Sequence, residues 1–247
     1  NYAASHPDAK VRYKASDMYL WGHSDASYLS EPHSRSRIGG YFFLSDRPKD
    51  PTRPPTPQDA PPTPNGAIHV VTHLMKEVVS SAAEAETGGL FYNGKEACPI
   101  HTTLSELGFL QGPTPIQTDT STACGIANDT VKQRRSKAMD MRYYWIRDRV
   151  IQNQFHIYWS KGSDNLADYF TKHHPASHHR ALRPFYLHPA HALFSSCEGV
   201  LITSSGIQEL YELELEPSSP ISPQPSDLSK LITDARSLKH YTRIATS

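Results

Sequence analysis

The sequence predicts a mixed α/β fold, with one sheet of antiparallel and parallel strands and helices packed on its faces. Three observations predict it. Apolar runs MYLWGHSD, GGYFFLSD and GAIHVVTHLM follow one another in the first third of the chain, as neighbouring antiparallel strands do. From Ser80 onward the apolar spacing becomes helical, and strand-like TPIQTDTS and FHIYWS then alternate with helical stretches. The resulting order, β-β-β-α-β-α-α-β-α over roughly residues 15 to 180, holds five strands in about 165 residues, a size that buries a full core.

Each element has its own signal. MYLWGHSDASYLS is rich in β-forming residues but carries a carboxylate, Asp25, between small Ser and Ala residues. The polar stretch SYLSEPHSRSRI is expected to be the loop to the second strand. Residues 48–64 contain eight prolines, which exclude a helix or an inner strand and predict a solvated polyproline-like insertion that leaves the sheet intact. SSAAEAETGGL opens a helix with serine and glutamate, and Pro99 is expected to kink it or to start a second one. STACGIAND reads as a short helix capped by its Ser or Thr. RSKAMDMRYYWIRDRVIQ reads as an amphipathic helix with Met139, Tyr143, Ile146 and Val150 on one face. NLADYFTKHH reads as the last helix, with Asp168 in its first turn. Beyond about Ala190 the pattern fades, and SSPISPQPSD has a disordered composition. The expected division is an N-terminal connection over 1–14, the folded domain over 15–185 with its insertion at 46–64, and a partly disordered tail over 186–247.

Composition excludes several classes. Lys plus Arg and Asp plus Glu are 25 each, so net charge names no partner, but the distribution does. Between Val131 and Arg149, seven basic residues face only Asp140 and Asp148, a patch of the kind that meets phosphates or forms a solvated helix face. Three scattered cysteines exclude a disulfide framework and a cysteine-based zinc site. No stretch is apolar enough for a membrane helix. A chain that starts at Asn1 reads as a piece of something longer.

Four carboxylates sit at element edges: Asp25, Glu86, Asp119 and Asp168. If the first and fourth strands are neighbours, these acids can converge. A cluster of acidic oxygens stays ionised only with cations, and hard oxygen ligands suit Mg²⁺ or Mn²⁺. Taken singly, each acid is as readily a solvated, capping or ion-paired residue.

The motifs HSDASYLSEPHSRSRIGGYFFL, SSAAEAETGGL, IQTDTSTACGIAND, KAMDMRYYWIRDRV and NLADYFTKHH, in this order, resemble the RNase H domain of copia-type LTR retrotransposon Pol polyproteins over roughly residues 1–180. The resemblance implies an RNase H-like five-stranded mixed sheet with flanking helices. It implies an endonuclease that hydrolyses the RNA strand of RNA/DNA hybrids with two Mg²⁺ or Mn²⁺ ions. Carried over, the catalytic and metal-binding acids are Asp25, Glu86, Asp119 and Asp168, with Glu84 as the other candidate because Thr87 and Gly88 replace the aromatic and aliphatic residues common after this glutamate. Cellular relatives often carry a histidine before the last acid, and WSKGSDN has none. The implied partners are the hybrid and the reverse transcriptase portion of the same polyprotein, and the implied location is intracellular, in a cytoplasmic particle or the nucleus.

Ser27, Thr122 and Asn128 are candidate contacts to the hybrid's 2′-hydroxyls, with capping and turn formation as their alternative. Arg134, Arg135, Lys137 and Arg142 are candidate phosphate contacts. Tyr143, Tyr144 and Trp145 are core residues or base-stacking ones. His173, His174, His178 and His179 in HHPASHHR form a weaker alternative, a zinc module, which Pro175 opposes by interrupting the helix. A further alternative is a catalytically inactive remnant that grips nucleic acid or braces the polymerase.

Overall fold

A computed structural model of the 247-residue chain describes residues 2–7, 9–131 and 140–187. The expected tail beyond 187 and the residues 132–139 lie outside them.

The elements are α1 (Tyr2–Ser5), β1 (Tyr19–Glu31), β2 (Arg35–Ser45), β3 (Ala67–Leu74), α2 (Ala82–Glu106), β4 (Thr114–Thr118), α3 (Ser121–Ala127), α4 (Asp140–Ile151), β5 (Phe155–Trp159) and α5 (Ala176–Tyr186), with short 3₁₀ turns at Pro32–Ser34, Gly162–Asp164 and Asp168–Phe170. The sheet runs β3-β2-β1-β4-β5. β1–β2 and β2–β3 pair antiparallel, whereas β1–β4 and β4–β5 pair parallel. This is the five-stranded mixed sheet with flanking helices expected from the sequence.

β1 is central and is buried without a break from Tyr19 to Ser27, because both faces of the sheet are covered. On one face Leu20, Ile38, Phe42 and Ile116 pack with Leu90 of α2, Ile146 of α4 and Phe155 of β5. On the other, Tyr19, Trp21, Tyr41 and Phe43 pack with Ala167, Leu166, Phe170 and Tyr186. Of the face read on α4, Tyr143 and Ile146 are buried and Val150 partly so, while Met139 lies outside the described residues. Trp145 packs on Phe91 and Phe155, while Tyr144 is exposed.

Three expectations are corrected. SYLSEPHSRSRI is not a loop. β1 runs on to Glu31 and β2 starts at Arg35, because Pro32–Ser34 reverse the chain with His33 and Ser34 at left-handed φ of 59° and 55°, and Arg37 Nε donates to Glu31 Oε1 across the strands at 2.6 Å. Pro99 neither breaks α2 nor starts a new helix. Pro99 and Lys95 are both exposed, so the carbonyl that loses its partner four residues back lies on the solvent side. NLADYFTKHH forms a 3₁₀ turn, and the last helix begins after Pro175, whose fixed φ suits a helix start better than an interior. The proline-rich insertion is solvent-facing as expected, with none of its residues buried, and it is braced locally. Arg53 pairs with Asp50 and Asp59, and Pro54, Pro55 and Pro57 face Cys124, Asn128 and Trp159 across a cleft. As expected, the insertion leaves β2 and β3 paired from Arg37↔Leu74 to Phe43↔Ala67.

Candidate metal centre

β1 and β4 are bridged at Gly22↔Ile116 and His23↔Gln117. Asp25 and Asp119 each stand two residues beyond the last bridged pair, where β4 ends and leaves the middle of β1 without a strand on that side. Past that point the Ala26 amide donates to Glu86 Oε1 at 3.3 Å, so a helix side chain occupies the position beside β1.

Glu86 comes from the second turn of α2, and the sequence around it explains its position. Ser81 caps the helix by accepting from the Glu84 amide at 3.2 Å, while Glu84 Oε2 accepts from the Ser80 amide and hydroxyl at 2.8 Å each, a variant of the reciprocal serine–glutamate cap. Glu84 is thereby spent on the helix start, and Glu86 turns to the sheet. The small residues after it are what the crossing demands. A Cβ at Gly89 would already stand 3.3 Å from the Ala26 side chain, and the Thr87 hydroxyl donates back to the Ala83 carbonyl.

One oxygen from each of Asp25, Glu86 and Asp119 lies within 4.8 Å of the others. Asp25 and Glu86 are buried, at 2% and 6% exposure. Burial, the main cause, pushes the Asp25 carboxyl up to about 6; the Thr171 hydrogen bond opposes this, and the charges of Asp168 and Asp119 add to it. Glu86 is raised further, by burial first and then by Asp25 and Asp119. Glu86 Oε2 is buried without a hydrogen-bond partner. Three converging carboxylates, one with an orphaned oxygen, suit a hard divalent cation, which would supply the charge that the protein does not. Asp25, Glu86 and Asp119 are thus the residues that can hold it.

Asp168 is placed beside this group and is not one of its three members; it pairs instead with Lys172. The loop carrying it is fastened to β1. Asn165 Nδ2 donates to the Ser24 carbonyl at 2.8 Å, and the Leu166 amide donates to His23 Nδ1 at 3.0 Å. His23 accepts that bond as a neutral ring, since burial drives its pKa down to about 3. The Thr171 hydroxyl donates to Asp25 Oδ2 at 2.5 Å. Sequence reasoning missed Thr171 and Lys172, which follow Asp168 by three and four residues. Helical spacing after a carboxylate was the available signal.

The proposed substrate contacts divide. Thr122 is exposed in the first turn of α3, three residues after Asp119. Thr120 takes the N-cap position of α3 but makes no capping bond; its hydroxyl donates to Asp119 Oδ1 at 3.3 Å. Ser27 is buried, with its hydroxyl accepting from the Arg37 amide at 3.1 Å. Asn128 ties α3 to β5 by donating to the Ile157 carbonyl at 3.0 Å. Arg142 pairs with Glu77 and lies over the Phe91 and Tyr92 rings. Arg134, Arg135 and Lys137 lie outside the described residues. The histidines of HHPASHHR stack rather than converge: His174 lies on Tyr169 and His178 on His174. Among the described residues, the carboxylate trio is the group with metal-ligand geometry.

No known family profile matches the chain. Over 160 residues it is 28% identical to the retrovirus-related Pol polyprotein from transposon TNT 1-94 of Nicotiana tabacum, a match spanning 65% of this chain and 11% of that protein's length. Among solved structures, LC11-RNase H1 in complex with an RNA/DNA hybrid aligns with 61% of this chain and 92% of its own at 10% identity, with a TM-score of 0.42. The prototype foamy virus protease-reverse transcriptase aligns with 68% of this chain and 22% of its own at 14% identity and a TM-score of 0.37. No helix among the described residues is long and apolar enough to cross a membrane. The resemblance read from five short motifs is borne out, since the chain is similar over 160 residues to a retrotransposon Pol polyprotein.

Proposed function

We propose that this chain is the ribonuclease H domain of a retrotransposon Pol polyprotein, a divalent-metal-dependent hydrolase that cuts the RNA strand of RNA/DNA hybrids. The observation that carries the reading is the meeting of Asp25, Glu86 and Asp119 within 4.8 Å, with Glu86 Oε2 buried and unpartnered. The similarity to the transposon Pol polyprotein and the order of the motifs support it. Partners on this reading are the hybrid and the reverse transcriptase of the same polyprotein, within a cytoplasmic particle or the nucleus.

Two bound Mg²⁺ or Mn²⁺ ions would supply an activated water and charge neutralisation of the leaving oxygen. The chain's own residues do the rest. Asp25, Glu86 and Asp119 would hold the ions, together with Asp168 from the loop after β5. Thr171 orients the Asp25 carboxylate. Thr122, exposed in the first turn of α3, would meet a ribose hydroxyl, whereas Ser27 and Asn128, the other two candidates, are engaged within the fold; Arg134, Arg135 and Lys137 would grip phosphates without regard to sequence.

The test is hydrolysis of a hybrid labelled on its RNA strand, with Mg²⁺, against an Asp119→Asn control. Cleavage of the RNA strand above that control is expected. A folded protein that cleaves no better than the control overturns the enzymatic reading and leaves the inactive, nucleic-acid-binding alternative.

A further inference from the structure

Asp168 Oδ1 is held by the ammonium of Lys172, four residues on. The neighbouring Thr171 fixes where that ammonium stands. Its side chain is almost fully buried, its hydroxyl donates to Asp25 Oδ2, and it fits against β2 so closely that a Cβ at Gly39 would come within 2.6 Å of its methyl. Lys172 itself keeps 52% of its side chain exposed. One residue is therefore bolted to the acid cluster, and the next carries a positive charge to its rim on a stem that can swing into water.

We propose that the Lys172 ammonium is a built-in counter-cation that occupies Asp168 and so divides the site. Asp25, Glu86 and Asp119 take one divalent ion directly, and a second ion gains Asp168 only by displacing Lys172. The inference rests on the functional reading above and deepens it.

Electrostatics agree with the geometry. Burial works against the ammonium, yet Asp168, Asp25 and Asp119 together outweigh it and hold Lys172 above its usual range. In return Lys172 is among the charges that draw Asp25 and Glu86 downward, against burial and their mutual repulsion. Lys172 is thus a positioning residue. It keeps the fourth carboxylate neutralised while the site is empty and makes filling the second position conditional on moving a side chain.

The experiment is calorimetric titration of Mn²⁺ into the metal-free full chain, as wild type, Lys172→Met and Lys172→Arg, each checked for folding by circular dichroism. The wild type is expected to bind in two unequal steps. Lys172→Met tightens the second step by about tenfold, a coupling of ordinary size between neighbouring sites. Lys172→Arg, which keeps the charge, restores the wild-type inequality. Two equal steps in the wild type, or a second step that Lys172→Met leaves unchanged, overturn this inference alone. Failure of folded wild type and variants alike to bind Mn²⁺ overturns the metal-dependent reading as well.

Discussion

The Thr171 hydroxyl donates to Asp25 Oδ2 at 2.5 Å, joining the middle of the central strand to a turn 146 residues further along the chain. That bond is the main protein contact opposing the burial of the Asp25 charge, and it is not enough. The Asp25 carboxyl is raised from 3.8 to about 6, so the fold favours its protonated form. Its contribution to stability is then fully present below about pH 4 and lost as pH rises through about 6. Near neutral pH the ionised, metal-free site costs about 3 kcal/mol. Asp25→Asn keeps the shape and an acceptor for Thr171. In metal-free buffer near pH 7, the variant is expected to unfold at higher urea concentration than the wild type, and the gap should shrink towards pH 4. Mn²⁺ should raise the wild-type midpoint and leave that of Asp25→Asn nearly unmoved. Equal midpoints near pH 7 without metal would contradict the assignment.

Glu86 and Glu84 separate function from folding two residues apart. Glu86→Gln removes a buried charge whose second oxygen has no protein partner, so Mn²⁺ affinity should fall by more than about tenfold while metal-free stability near neutral pH rises. Glu84→Ala removes the acceptor for the Ser80 amide, so stability should fall by about 1 kcal/mol with Mn²⁺ affinity unchanged. Calorimetry and urea denaturation on both variants read the two effects independently. Exchanged phenotypes would show that the register of α2 over the sheet is shifted.

Much of this site was legible in the sequence because two of its acids lie on or just beyond apolar strands, Asp25 within β1 and Asp119 just past β4. Asp25 and Asp119 follow apolar runs, and once the first and fourth strands are neighbours their meeting is a matter of register. Choosing Glu86 over Glu84 turns on a local pattern, the Ser80 and Ser81 cap that engages Glu84, and on a tertiary fact, the close passage of Gly89 over Ala26. The turn at Asp168 was misread as a helix because its apolar spacing suits one. What fixes it instead are bonds from Asn165 and Leu166 to β1, more than 140 residues away in sequence, which no local pattern encodes. The bond from Thr171 to Asp25 was invisible for the same reason, whereas the spacing of Lys172 from Asp168 was a local signal. The β1–β2 pairing was read, but its length was hidden because exposed strand ends are polar, and polarity was read as loop.

Gly39 pairs with Asp25 in the β1–β2 register, and its missing side chain makes room for the loop that carries Asp168. A Cβ there would stand 2.5 Å from the Ala167 carbonyl oxygen, a backbone atom that cannot step aside alone. Gly39→Ala should therefore push the 165–171 turn off the sheet. Stability is expected to fall by about 1–3 kcal/mol, the usual range for overpacking, and Mn²⁺ affinity should fall with it as Thr171 loses Asp25. Unchanged affinity in a folded Gly39→Ala protein would show that the turn does not govern the metal site.

Arg142 was expected among the phosphate contacts, yet its charge is already answered inside the protein. It pairs with Glu77, and its guanidinium lies 5.6 Å from the centre of the Phe91 ring and 5.9 Å from that of Tyr92. With both partners of the ion pair less than a third exposed, Arg142→Ala should cost about 1–2 kcal/mol of stability through the lost pair and ring contacts. An arginine neutralised in this way releases no counterion on binding a polyanion. Arg142→Ala should therefore leave hybrid affinity and its salt dependence unchanged in an Asp119→Asn background. Replacing Arg134, Arg135 and Lys137 together by alanine should flatten the slope of log affinity against log salt by about 2–3, if each meets one phosphate. Fluorescence anisotropy of a labelled hybrid across a salt series measures both. A slope that falls by about 1 in Arg142→Ala would return this residue to the nucleic-acid interface.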